Sequence, residues 1–285
     1  MLPPARPTTR FAPSPTGRLH LGHAHGALFA RRAALEGHGR FLLRIEDIDP
    51  ARCRPAFEAG IYEDLAWLGL LWEQPVRRQS EHMAEYGMAL QALDAKGLIY
   101  PCFCTRAAIR AEIVGASAAP HGPEHGLYPG TCRDLPAARR VRRTAAGEPF
   151  ALRLDMARAI ATARGPLEWH DLGRGPQRAK PEIHGDVVLA RKEVGTSYHL
   201  AVSLDDHLQG VTLVTRGEDL FEATHLHRLL QALLGLDVPI YHHHRLLLDE
   251  GGRRLAKRDR AATIQALREG GRSPAEVRAL AGFPD

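Results

Sequence analysis

The sequence has no run approaching the ~18–20 consecutive apolar residues of a membrane-spanning helix. Its opening, MLPPARPTTR, holds no apolar core, so no secretory signal is expected. Cysteine is scarce, with four in 285 residues, unevenly spaced. So few thiols cannot build a disulfide framework; they point to a reducing, cytoplasmic compartment and to metal-binding or structural roles. Neither a G-x-G-x-x-G run nor a Walker P-loop is present, which removes support for the nicotinamide and P-loop routes to phosphate binding. Internal repeats and long low-complexity tracts are also missing.

What is present has an ordinary globular balance, 44% apolar and 25% charged, which excludes wholesale disorder. At roughly 100–200 residues per domain, the length fits one large domain or two modest ones. The formal net charge of +5 permits a polyanionic partner without requiring one.

Thr8 to Ala12 reads as a strand ended by Pro13 and Pro15. From His20 to Gly37, Leu21, Ala24, Leu28 and Leu35 recur at helical spacing. Phe41 to Ile45 is a compact apolar strand, and Pro55 to Leu71 and His82 to Lys96 read as helices. Strand alternating with helix predicts a parallel sheet with crossover connections. Ile99 to Gly185 reads as an irregular, Gly/Pro-rich insertion carrying three cysteines and an arginine cluster. Beyond it, Val187–Ala190, Ala201–Leu204 and Val211–Thr215 are β-like. Glu218–Leu234 is an apolar helix, Ile240–Leu248 a strand and Pro274–Leu280 a short helix. The expected fold class is α/β, a Rossmann-like doubly wound parallel sheet split by an insertion. Residues 1–98 and 186–248 form the two halves of the sheet domain, 99–185 the insertion, and 249–285 a loop with a short helical segment.

Chemistry concentrates first in Arg10-Phe11-Ala12-Pro13-Ser14-Pro15-Thr16-Gly17-Arg18-Leu19-His20-Leu21-Gly22-His23. A strand passes through a Pro/Gly loop into a helix whose first turn carries two histidines. Free N–H groups there favour phosphate, the imidazoles add donors, and Gly22 lets a flat ligand approach the backbone. Taken alone, the histidine pair equally fits helix capping. A second segment, Gly251-Gly252-Arg253-Arg254-Leu255-Ala256-Lys257-Arg258-Asp259, suits a glycine-hinged cationic clamp for transferring phosphates.

Together these segments resemble the two signatures of class I aminoacyl-tRNA synthetases in their glutamyl/glutaminyl form. Leu43-Arg44-Ile45-Glu46-Asp47-Ile48-Asp49-Pro50, Tyr198-His199-Leu200-Ala201, Asp205-Asp206-His207 and Thr215-Arg216-Gly217-Glu218-Asp219 resemble further blocks of that family, in order along the chain. The resemblance puts Arg10, Phe11, Ala12, Pro13, Ser14, Glu46, Tyr198 and Arg216 around glutamate, with Glu46 on the ammonium and Arg10 on the side-chain carboxylate. This agrees with the need for a carboxylate and guanidinium forks. It puts His20, Gly22, His23 and Lys257 at ATP, with Mg2+ accompanying the nucleotide, and Lys257 on the α-phosphate. Two departures stand out. Ala256 replaces the serine usual before the loop lysine, and Arg191 to Ser197 differs from the family pattern before Tyr198.

Cys102, Cys104 and Cys132 suit a structural zinc site. The short glutamyl-Q-tRNA(Asp) synthetases bind zinc through Cys-x-Cys and Tyr-x-x-x-Cys, which the resemblance carries onto Cys102, Cys104, Tyr128 and Cys132; His125 is the rival fourth ligand. His242-His243-His244 cannot converge on one ion, because consecutive strand residues face opposite ways. After Lys257 the sequence runs only to residue 285, so no anticodon-binding domain is expected. That brevity resembles the glutamyl-Q-tRNA(Asp) synthetase family, in which glutamate is activated without tRNA and transferred to queuosine at the wobble position of tRNA(Asp). Arg133, Arg139, Arg140, Arg142 and Arg143 are candidate phosphate contacts for the anticodon stem-loop, or a solvated helix face. A monomer is expected. The alternatives are a synthetase core charging a tRNA acceptor end and a non-catalytic tRNA-binding paralogue.

Overall fold

The computed structural model describes residues 5–105, 107, 109, 127–247 and 263–284. The first elements are β1 (Thr8–Phe11), α1 (Leu21–Glu36), β2 (Arg40–Ile45), α2 (Pro55–Trp67), β3 (Glu73–Arg78) and α3 (Met83–Ala95). Next come β4 (Ile99–Cys102), α4 (Ala137–Ala145), β5 (Ala151–Leu154), α5 (Met156–Thr162), β6 (Glu168–Asp171), β7 (Gly175–Arg178) and β8 (Val188–Arg191). The chain continues through α6 (Tyr198–Leu208), β9 (Leu213–Gly217), α7 (Ala223–Leu234), β10 (Ile240–His244), α8 (Ile264–Glu269) and α9 (Pro274–Leu280).

The strands β1, β2 and β3 form a parallel sheet in that order, with Thr8 opposite Arg40 and Phe11 opposite Leu43. A second sheet runs β7-β6-β10-β9, parallel except for the β6–β7 hairpin. The two sheets meet at β1 and β9, where the Thr212 N–H donates to the Thr8 carbonyl at 3.0 Å. From that junction the chain winds outward on both sides, so a crevice opens at the carboxyl ends of β1 and β9. Open α/β sheets bind ligands at such switch points. The sheet β4-β5-β8 is antiparallel and lies within and just beyond the expected insertion.

Two apolar clusters hold these layers. One packs Leu28 of α1, Leu43 and Ile45 of β2 and Ile61 and Leu65 of α2 against Ile264 and Val277 of the last two helices. The other joins Leu93, Leu154, Leu189 and Leu200 to Leu226, Leu229 and Leu230 of α7. Residues of the 99–185 segment thus share a core with α3 and α7. Among the described residues, no helix is long and apolar enough to cross a membrane.

The structure corrects three sequence expectations. Ala201–Leu204 belongs to α6 rather than to a strand. Ser197 caps that helix, its Oγ accepting the Leu200 N–H at 3.4 Å, and Leu200 and Ala201 turn into the core. Residues 99–185 contain regular helices and strands, and β6 joins the parallel sheet through β10. The strand β3 is absent from the sequence expectation because its stretch, EQPVRR, is polar. It forms a sheet edge with one flank in solvent, where alternation fades and proline is tolerated.

Candidate active site

The loop after β1 and the start of α1 position the first candidate residues. His20 is the N-cap: its Nδ1 accepts the Gly22 N–H at 3.1 Å, and His23 Nδ1 accepts the His20 N–H at 3.2 Å. The imidazoles thus replace the usual Ser and Glu of a capping box. Capping and ligand binding are compatible here. Accepting at Nδ1 assigns the neutral rings their proton at Nε2, a donor suited to anionic oxygen. The rings lie 3.8 Å apart between centroids.

A cavity of about 440 Å³ brings together Arg10, Phe11, Ala12, His20, Gly22, His23, Glu46, Tyr198 and Arg216. Pro13 and Ser14 line an adjoining cavity that shares Glu46 and Tyr198 and reaches Tyr128 and Arg153. Lys257 lies outside the described residues. Of the described flanks of its segment, Leu246 and Leu247 line the first cavity, and Thr263 forms a β-bridge with His20, one of the cavity residues.

Beneath the cavity lies a buried charge network. Arg10 Nε and Arg44 Nη1 both donate to Asp206 Oδ1 at 2.9 Å, and Arg44 Nη2 donates to Glu46 at 3.2 Å. Asp205 binds the other side of the network, accepting from Arg77, Gln79 and Tyr86. Burial opposes the Asp206 charge, but Arg10 and Arg44 outweigh it and hold the carboxyl below its ordinary pKa. Burial pushes the Glu46 carboxyl upward against the pull of Arg44 and Arg10. Glu46 is therefore both a structural ion-pair member and a cavity wall. Arg44 and Asp206 carry no role in the sequence expectations, although both stand in the quoted blocks. The available signal is an arginine inside the apolar run of β2, which demands a buried counter-charge.

Arg216 is held differently. Its Nε donates to His243 Nε2 at 3.1 Å, Nη1 to His227 Nδ1 at 3.2 Å and to the Tyr198 hydroxyl at 3.4 Å, and Nη2 to Thr224 Oγ1 at 2.6 Å. His243 Nδ1 in turn lies 2.6 Å from Asp171 Oδ2, and His227 Nε2 lies 3.1 Å from His199 Nδ1. Burial lowers the pKa of both His227 and His243, and each presents a ring nitrogen as acceptor to an Arg216 N–H, as a neutral imidazole does. The histidine run alternates as expected: His243 faces Arg216, while His242 and His244 both pack on Phe29 of α1.

The Sγ atoms of Cys102, Cys104 and Cys132 lie within 4.8 Å of one another. The Tyr128 hydroxyl is 3.4 Å from Cys102 Sγ and 3.5 Å from Cys104 Sγ, and it accepts the Cys132 N–H at 2.8 Å. Thiolates on a tetrahedral zinc are spaced by about 3.8 Å, so this donor set fits such an ion. Burial opposes the Cys102 thiolate, but the Tyr128 hydroxyl and Arg153 lower its pKa, whereas burial and the neighbouring thiols push Cys104 to about 12. Adjacent thiols resist ionising together unless a cation joins them. His125 lies outside the described residues. Of the basic cluster, Arg133 pairs with Asp186 and Arg143 with Glu148, while Arg139 and Arg142 are exposed on α4.

Residues 7–281 match the family model described as tRNA synthetases class I (E and Q), catalytic domain. A glutamyl-Q tRNA(Asp) synthetase of Rhodobacter capsulatus is 53% identical over 96% of this chain and 99% of its own length. A protein of the same name from Nocardia farcinica is 45% identical, over 95% of this chain and 82% of its own. Glutamate–tRNA ligase 2 of Syntrophus aciditrophicus is 35% identical over 94% of this chain and 55% of its own. A crystal structure of a glutamate tRNA ligase from Elizabethkingia meningosepticum, in complex with its amino acid, superposes with a TM-score of 0.80 at 29% identity. The match covers 97% of this chain, which spans 60% of that ligase's length. The switch-point cavity and these matches together show that the chain belongs to the class I tRNA synthetase family for E and Q, a family of ATP-dependent ligases, and is similar over nearly its whole length to members called glutamyl-Q tRNA(Asp) synthetase.

Proposed function

We propose that the protein activates L-glutamate with ATP in the absence of tRNA and transfers it to queuosine at the wobble position of tRNA(Asp). The observation that carries this reading is the meeting of Glu46, Arg10 and Arg216 in one cavity with the histidines that open α1. Glu46 binds the substrate ammonium and Arg10 its side-chain carboxylate. Arg216 and Tyr198 complete the pocket, and the Phe11–Ser14 backbone forms its wall. An α-carboxylate oxygen attacks the α-phosphorus of ATP and pyrophosphate leaves, giving glutamyl-adenylate. A hydroxyl of the queuosine cyclopentene-diol then attacks the acyl carbon and AMP leaves.

His20 and His23 donate to the ATP phosphates, Gly22 lets the nucleotide lie close, and Lys257 stabilises the α-phosphate as charge builds. Mg2+ accompanies ATP and neutralises phosphate charge. Cys102, Cys104, Tyr128 and Cys132 hold a structural zinc. The exposed Arg139 and Arg142 contact RNA phosphates, and the enzyme acts in the cytoplasm as a monomer.

The test is transfer of labelled glutamate to tRNA(Asp) with and without queuosine, beside glutamate-dependent ATP–pyrophosphate exchange without tRNA. Exchange without tRNA and transfer only to the queuosine-bearing form are expected. Equal transfer to queuosine-free tRNA(Asp), abolished by periodate oxidation of its 3′ end, would instead mark an acceptor-end synthetase.

A further inference from the structure

We infer that His243 and His227 are positioning residues that aim Arg216 at a substrate carboxylate while leaving its charge uncompensated. The inference rests on the glutamate reading of the cavity and adds the means by which one of its two arginines is kept available.

The two arginines differ in a way their sequence positions do not reveal. Arg10 is neutralised by Asp206, which it meets at 2.9 Å. Arg216 is equally buried, yet among the described residues no carboxylate lies within ion-pair distance of it. Its acceptors there are all uncharged: two imidazoles and two hydroxyls. A buried cation without a counter-ion is costly, and a carboxylate entering the cavity would remove that cost. Neutral acceptors satisfy the geometry of the fork and leave the charge for the ligand.

Each imidazole must present a lone pair to Arg216, and each is held in the required tautomer by a second contact. Asp171 accepts the proton of His243 Nδ1, which leaves Nε2 as the acceptor for Arg216 Nε. His227 works in the opposite sense. Its Nδ1 accepts from Arg216 Nη1, so its proton sits on Nε2 and is donated to His199.

The opposite tautomers give opposite rescue patterns. A glutamine Oε1 takes the place of an imidazole Nε2, and an asparagine Oδ1 takes the place of Nδ1. His243→Gln and His227→Asn therefore keep the acceptor for Arg216, whereas His243→Asn and His227→Gln lose it.

In glutamate-dependent ATP–pyrophosphate exchange, the two acceptor-losing variants should raise the KM for glutamate about ten- to hundredfold, the scale of one hydrogen bond to a charged group. The KM for ATP should stay within about twofold, and the two acceptor-keeping variants should remain within about threefold of wild type in both constants. Asp171→Asn, which releases the His243 tautomer, is a second route to the same effect should a histidine variant fail to fold. It should raise the KM for glutamate in the same direction. Equal losses within each pair, or parallel losses for glutamate and ATP, would overturn the positioning role. Absence of glutamate-dependent exchange in the wild type would overturn the glutamate reading instead.

Discussion

The substitution Asp206→Asn removes one charge from beneath the cavity while changing its volume little. Asp206 accepts from Arg10 and Arg44 at 2.9 Å each, and Arg44 is fully buried. The asparagine side chain would keep one acceptor, but its amide hydrogens would face a guanidinium, leaving the two arginines with Glu46 and the more distant Asp205. Breaking a buried ion pair from one side costs about 3–5 kcal/mol. A chain of 285 residues unfolds with an entropy of roughly 0.6 kcal/mol/K, so that cost lowers Tm by about 5–8 °C. Arg10 also loses its carboxylate partner and keeps the Thr215 carbonyl at 3.2 Å, so the KM for glutamate should rise while the KM for ATP stays nearly constant. Calorimetry and glutamate-dependent pyrophosphate exchange read both effects. A Tm within about 1 °C of wild type together with an unchanged KM for glutamate would refute the view that this network organises the site.

Acid should destabilise the protein in a definite window. Burial depresses both His199 and His244 to about 4, reinforced at His199 by His184 and Arg216. Below pH ~6.5 the unfolded chain binds these protons and the folded chain does not, so stability is full above ~6.5 and falls as pH drops towards 4. For the buried His244 alone this is on the order of 3 kcal/mol; a Tm that stays flat from pH 7 to 5 would contradict it. Gly39→Ala should be strongly destabilising, because its Cβ would sit 1.9 Å from the Pro7 carbonyl oxygen, a backbone atom. A soluble variant with native Tm would show that the β1–β2 edge is looser than described. Cys104→Ser should strip the zinc expected in the purified protein and Tyr128→Phe should weaken its retention, both read by metal analysis; full retention in Tyr128→Phe would exclude tyrosine as the fourth ligand.

The motif residues of the cavity were legible in the sequence because the chemistry of a segment travels with its local order. A strand, a Pro/Gly loop and a helix start bring Arg10, His20 and His23 to one end of β1 whatever lies elsewhere. Helix periodicity likewise announced α1, whose buried face repeats with the helical turn, and α2 and α3 also stand where the sequence reads as helix. The local pattern failed where burial was unusual. Ala201–Leu204 lies on a helix buried on most sides, so its apolar run imitates a strand, and the solvent-flanked β3 shows no apolar face at all.

By itself, then, the sequence determined which residue types line the cavity and at which element ends they stand, since those depend on neighbours a few residues away. Only the tertiary structure decided how their charges are balanced. Asp206 reaches Arg10 from 196 residues away, Asp171 reaches His243 across 72, and among the described residues Arg216 meets imidazoles from α7 and β10 rather than a carboxylate. Whether a buried arginine meets a carboxylate or only neutral acceptors depends on which distant side chains the parallel sheets bring against it, and no local pattern carries that information.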